Sequence, residues 1–169
     1  MNKSSRNGPF LALCACGAVI AACTYGYVRA EESARTQEAI TEAEVRQFCK
    51  GIEVFCNQKD FDAYGRTLSD EVKVIGTIDN KQVIISRQDF IRNLQEAWAT
   101  VTDYQYSFQI QDIQIQAAQA VVLGKEQERC ILPDGEAFST ESTTTLILEK
   151  EEGLIKQKSI EAVVRSISS

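Results

Sequence analysis

The sequence predicts an α+β domain in which N-terminal helices cover one face of a curved antiparallel sheet. Three observations carry this. Apolar residues recur at three- and four-residue steps through Val45, Phe48, Cys49, Ile52, Phe55 and Cys56, and again through Phe90, Ile91, Leu94, Ala97, Trp98 and Val101. That is the stripe of a helix lying on a core. From Asp103 the period becomes two, and turn residues then divide the chain into four long segments, the signature of strands joined by short connections.

In chain order, the first element is a leader. A basic head (Lys3, Arg6) runs into the apolar stretch from Pro9 to Cys23, which reads as an export signal over residues 1–30. Three fates stay open: cleavage after Val28-Arg29-Ala30, lipidation at Cys23 after Ile20-Ala21-Ala22, or retention as an anchor. Pro9 to Val28 carries no ionised side chain and approaches the ~20 residues needed to span a bilayer. Residues 31–40 are polar and read as a tether, leaving one domain over residues 41–166. All 24 acidic residues but only 15 of the 18 basic ones follow Ala30, a balance of −9. Such a charge argues against nucleic acid and anionic membrane as partners.

Thr41 with Glu44 forms a capping box, stapled by Ile40 and Val45, so a helix opens at Thr41. Asn57-Gln58-Lys59 ends it, and Asp60 caps a short helix through Phe61, Tyr64 and Leu68. Glu71 to Gly76 reads as a strand, Asp79-Asn80-Lys81 as a turn and Gln82 to Ile85 as the return. Ser86 with Asp89 starts the helix that carries Trp98. Tyr104, Tyr106, Phe108 and Ile110 then share one strand face, whereas Ile113 and Ile115 stand at odd positions. A β-bulge near Gln111-Asp112 accounts for that slip. Strands follow over Val121–Leu132, Phe138–Glu149 and Leu154–Arg165, joined at Pro133-Asp134-Gly135 and at Glu151-Glu152-Gly153.

This order resembles the superfamily of nuclear transport factor two and ketosteroid isomerase, including its SnoaL-like members, over Thr41 to Arg165. The carrying segments are Asp60-Phe61-Asp62-Ala63-Tyr64, Leu68-Ser69-Asp70-Glu71, the helix from Ser86, and the final hairpin from Thr145 through Gly153 to Lys156. Leu154 stands where the family usually places a tryptophan. The resemblance implies a cystatin-like, nuclear transport factor two-like cone with a pocket between the helices and the concave sheet face. It also implies relatives that commonly dimerise through the sheet.

The chain contains no histidine, which removes Ser-His-Asp and Cys-His nucleophiles and histidine metal sites at once. It also excludes histidine-dependent relatives such as scytalone dehydratase. A site like that of ketosteroid isomerase needs a carboxylate base with acidic hydroxyl donors. Tyr64 and Asp112 are the nominees, though neither stands in a matching motif. Phe48, Phe55, Trp98, Tyr104 and Tyr106 either line the pocket or fill it. Glu126 and Glu128 share a strand face with Cys130 and read as a solvated strand end; no metal site is expected, because calcium needs more oxygens than they offer. Cys49 and Cys56 lie two helical turns apart and cannot bridge each other, but either would reach Cys130 in a disulfide, the alternative being three buried thiols. The glutamines from Gln105 to Gln119 read as a wet sheet face available to a second subunit.

The expectation is an exported binding or assembly module of a bacterial cell envelope, non-catalytic and without cofactor. Its expected partners are a second copy through the sheet face and an apolar small ligand, with membrane contact only through the N-terminal segment. Two alternatives stand beside it: an isomerase or cyclase acting on a hydrophobic small molecule in the cone, and a periplasmic subunit of a secretion apparatus.

Overall fold

The computed structural model describes residues 38–168. The leader with its three fates, including Cys23, and the tether up to residue 37 lie outside them. Among the described residues no helix is long and apolar enough to cross a membrane.

Helix α1 (Glu42–Asn57) opens on the expected capping box: the Thr41 hydroxyl accepts from the Glu44 N–H, and Glu44 accepts from the Thr41 N–H at 2.8 Å. Val45, Cys49, Ile52 and Cys56 form its buried face. Lys59, in the left-handed region at φ 54°, turns the chain into α2 (Phe61–Thr67), where Asp60 accepts from the Ala63 N–H. The helix stops at Thr67 rather than Leu68, because Leu68 is already extended and the Thr67 hydroxyl donates back to the Tyr64 carbonyl. Strand β1 therefore begins at Leu68, three residues before the expected Glu71, and runs to Ile78.

Asp79 and Asn80 both take positive φ, as a two-residue hairpin turn requires, and β2 (Lys81–Ile85) returns. Helix α3 (Arg87–Thr100) is capped by Ser86 and buries Trp98. Strands β3 (Asp103–Gln116), β4 (Gln119–Ile131), β5 (Ala137–Glu151) and β6 (Leu154–Ser168) follow.

The sheet has six strands in the order β2-β1-β6-β5-β4-β3. The hairpin neighbours are antiparallel as expected, but β1 pairs with β6 in parallel, so the sheet is mixed. Short turns dictate antiparallel pairing only between strands adjacent in sequence; β1 and β6 meet from opposite ends of the domain. The expected bulge is present at Gln111, since Ile110 pairs with Gly124 and Asp112 with Leu123. It keeps Ile113 and Ile115 on the inner face, opposite Val122 and Ala120.

Two devices fasten α1 to the sheet. The Asn57 side chain donates to the Tyr106 carbonyl at 2.9 Å and accepts from the Tyr106 N–H at 2.8 Å; the residue that ends the helix thus takes the place of a neighbouring strand beside the edge strand β3. At the other end Lys150, only 6% exposed, reaches Glu44 at 3.0 Å and Glu38 at 3.1 Å. Ile40 is buried, and its N–H donates to the Ala117 carbonyl, so the end of the tether belongs to the folded domain. The core lies between α1 to α3 and the inner sheet face, with Leu146, Leu148, Val122 and Ile160 at its base.

Candidate functional site

Strand parity brings two carboxylates into the cone. Ala120, Val122, Gly124, Glu126, Glu128 and Cys130 share one face of β4, and Ala120 and Val122 are completely buried. The same face of β3 carries Tyr104, Tyr106 and Phe108. Tyr106 stands directly opposite Glu128 and Phe108 opposite Glu126, but each tyrosine reaches diagonally. The Tyr106 hydroxyl donates to Glu126 and the Tyr104 hydroxyl to Glu128, both at 2.7 Å. Diagonal pairs of this kind lie within reach of aromatic side chains.

The two acids differ in how completely they are satisfied. Glu126 accepts two further hydrogen bonds from β5, Thr144 at 2.6 Å and Ser142 at 3.0 Å. Glu128 accepts one, from Tyr104, among the described residues. Burial pushes the Glu128 carboxyl above the usual range and the charge of Glu126 adds to this, while the Tyr104 bond opposes it. Tyr104 and Tyr106 are raised well above an ordinary phenol, chiefly by burial and then by the glutamate each faces.

The interior divides into two compartments. At the inner end Cys49, Ile52, Tyr64, Tyr106, Phe108, Glu126, Leu146 and Gln157 enclose only about 10 Å³, space for at most a single water. Tyr64 is packed there, edge-on to Trp98 at 6.4 Å, with burial driving its phenol upward. Phe108 crosses Gly124 so closely that a Cβ would lie 2.3 Å from its ring; glycine is what lets the ring close this end. The outer compartment is an open cleft of about 420 Å³ between α3 and the β3–β5 ends. Phe90, Leu94, Ala97, Trp98, Tyr104, Leu132 and Phe138 make its walls, and Glu128, Cys130 and Thr140 supply polar atoms.

The nominated residues therefore separate. Trp98 and Tyr104 line the cleft; Tyr64 and Tyr106 line the filled end; Phe48 and Phe55 pack against the core. Asp112 is exposed and accepts from the Gln114 amide. Pairing with Leu123 puts it on the outer face, because the bulge reverses parity just before it. No acid–base pair of Tyr64 and Asp112 exists. The acids inside the cone are Glu126 and Glu128, read above as a solvated strand end. Their parity with the apolar Ala120 and Val122 is the signal that would have found them.

The three cysteines of the domain are free thiols: Cys49 and Cys56 are buried on α1, and Cys130 sits at the cleft. Burial pushes Cys49 up to about 12 and Cys56 further, so neither is a nucleophile at neutral pH. Among the described residues, no three His, Cys, Asp or Glu side chains converge as metal ligands would.

Chemically, Glu128 can accept a hydrogen bond or a proton at the cleft. Enolate stabilisation also needs hydroxyl donors aimed at a substrate oxygen. The two phenol hydroxyls beside the acids, Tyr104 and Tyr106, already donate to the carboxylates.

Comparison with known proteins agrees with this architecture. A conserved protein from Planctomyces limnophilus superposes with a TM-score of 0.67 at 12% identity, covering 73% of this chain and 95% of that one. A ketosteroid isomerase-like protein from Erwinia carotovora atroseptica gives 0.61 at 15% identity, covering 75% and 99%. A nuclear transport factor two-like protein of unknown function from Shewanella oneidensis gives 0.55 at 17%, covering 70% and 95%. No curated protein matches the chain. At these identities the structures establish the fold, an α+β cone of the nuclear transport factor two type. The family model for the SnoaL-like domain matches residues 35–157, and with most of its folded part inside that match, the chain belongs to the SnoaL-like domain family.

Proposed function

We propose that the domain is a binding module that holds a small, largely apolar molecule in the outer cleft, within a protein exported to a bacterial cell envelope. The observation that carries the binding reading is the cleft of about 420 Å³, walled by aromatic and aliphatic side chains around one underused acceptor, Glu128. Such a concave, mostly apolar site with few polar groups is the usual form of a small-molecule pocket. Export is supported by the leader over residues 1–30.

Two measurements test this. Native mass spectrometry of the protein purified from its own host should show a retained small molecule, released by the cleft-filling variant Ala97→Phe; a mass identical to that of the bare chain in both would overturn the binding reading. The same spectra fix the N-terminus: a free Glu31 or an acylated Cys23 supports export by cleavage, and an intact Met1 in a cytoplasmic fraction refutes it. A homodimer through the outer sheet face, where Leu123 is exposed, belongs to the same proposal and is read by sedimentation of Leu123→Glu against the parent.

A second reading, an isomerase or cyclase acting on a hydrophobic molecule, is favoured by one feature: a carboxyl raised by burial sits at the cleft beside a tyrosine. It requires Tyr104 to turn from Glu128 to the substrate. Exchange of substrate C–H protons for deuterium, catalysed by the parent and lost in Glu128→Gln, would establish it over binding alone.

A further inference from the structure

We propose that the molecule held in the cleft is an organic monocation, an apolar body bearing an amine whose ammonium group meets the Glu128 carboxylate. The proposal rests on the cleft being the binding site and adds the charge of the occupant.

Glu128 lacks a countercharge among the described residues. Eight ion pairs link described residues, and none includes Glu126 or Glu128. The buried lysine, Lys150, is committed to Glu38 and Glu44 at the other end of α1. No lysine or arginine lines the cleft. A carboxylate removed from water is costly unless hydrogen bonds or an opposite charge replace its hydration. Glu126 is compensated by three hydroxyl donors. Glu128, half-buried at the open cleft, has one donor and no ion-pair partner among the described residues.

The surroundings select the sign of whatever fills that shortfall. On the inner face, the titratable groups around Glu128 are Glu126 and Cys130 on its own strand, Tyr104 and Tyr106 on β3, Cys56 on α1 and Tyr64 on α2. All are acids, neutral or negative; burial raises each of the thiols and phenols and the glutamates add to it. An anionic ligand would meet an unrelieved negative field. A cation would meet that field and the aromatic rings of Trp98 and Tyr104, which line the cleft with centroids 5.8 Å apart. Aromatic faces attract ammonium groups, more strongly when water is excluded.

Trp98 is the chain's single tryptophan and lines the cleft, so its fluorescence reports occupancy directly. Full-length protein is titrated at pH 7.5 with three probes of equal skeleton: 4-phenylbutylamine, 4-phenylbutanol and 4-phenylbutyrate. The amine should bind about tenfold more tightly than the alcohol, as a charge-assisted bond and cation–π contact imply, and the carboxylate should be weakest. Glu128→Gln should bring the amine's affinity down to that of the alcohol in the same variant. If that variant fails to fold, the three-probe order in the parent alone decides. Alcohol binding equal to or tighter than the amine overturns the cationic assignment and leaves the cleft reading standing. Binding of none of the three overturns both.

Discussion

Replacing Thr144 by valine isolates one hydrogen bond of the inner acid. Thr144 is fully buried, and its hydroxyl donates to Glu126 at 2.6 Å. Valine has nearly the same shape, so the substitution removes the donor without opening a cavity. A hydrogen bond to a charged group contributes about 1.5–3 kcal/mol. Tyr106 and Ser142 continue to donate to Glu126, and the methyl that replaces the hydroxyl gains some apolar burial, so a loss of about 2 kcal/mol is expected. For a domain of this size that lowers the melting temperature by about 6–10 °C. Urea unfolding of the parent, Thr144→Val, Glu126→Gln and the double variant gives the coupling directly. The expected coupling is about 1 kcal/mol or more, since the bond cannot be lost twice. A destabilisation below about 0.5 kcal/mol, the range of ordinary surface substitutions, or strictly additive single losses, would show that Glu126 does not depend on β5 for its compensation.

Other substitutions test the remaining joints. Asn57→Ala removes both bonds to Tyr106 but leaves groups that water can reach, and should cost about 1–2 kcal/mol in urea unfolding; no change would mean that α1 is held to β3 by its apolar face alone. Gly124→Ala forces Phe108 off its position and should cost about 1–3 kcal/mol, the range for overpacking, which Phe108→Leu in the same chain should partly restore. Lys150 and the cap at Thr41 hold the Glu44 carboxyl down at about 2, so this group contributes stability above its unfolded pKa of about 4.3 and loses it as pH falls towards 2. Between pH 5 and 2 the melting temperature should therefore fall less steeply in Glu44→Gln than in the parent, and parallel curves would refute the link.

What the sequence disclosed, it disclosed through period. The α1 stripe, the Trp98 helix and the bulge at Gln111 are local signals that the packed structure had no reason to override. Two things were not local. The parallel pairing of β1 with β6 joins the first and last strands of the sheet, and no turn residue records it. The early start of β1 was hidden because Leu68 completes the spacing of a helical stripe and is equally at home at the head of a strand. For the site, the parity of β4 was present in the sequence, but the charge of Glu126 and Glu128 pointed to solvent. Tyr106, Ser142 and Thr144 compensate Glu126, and Tyr104 gives Glu128 its one hydrogen bond, all supplied by two other strands. Only their tertiary arrangement makes an inward glutamate affordable. Asp112 misled in the converse way, since a single bulged residue decides which side of the sheet it faces.

The amide of Asn57 has a further effect on how the protein behaves in company. A terminal ribbon with vacant main-chain groups is a template on which another polypeptide can extend the sheet, the first step towards fibrous aggregates. By occupying both groups of Tyr106 near the start of β3, one carboxamide interrupts that template at this end of the edge strand.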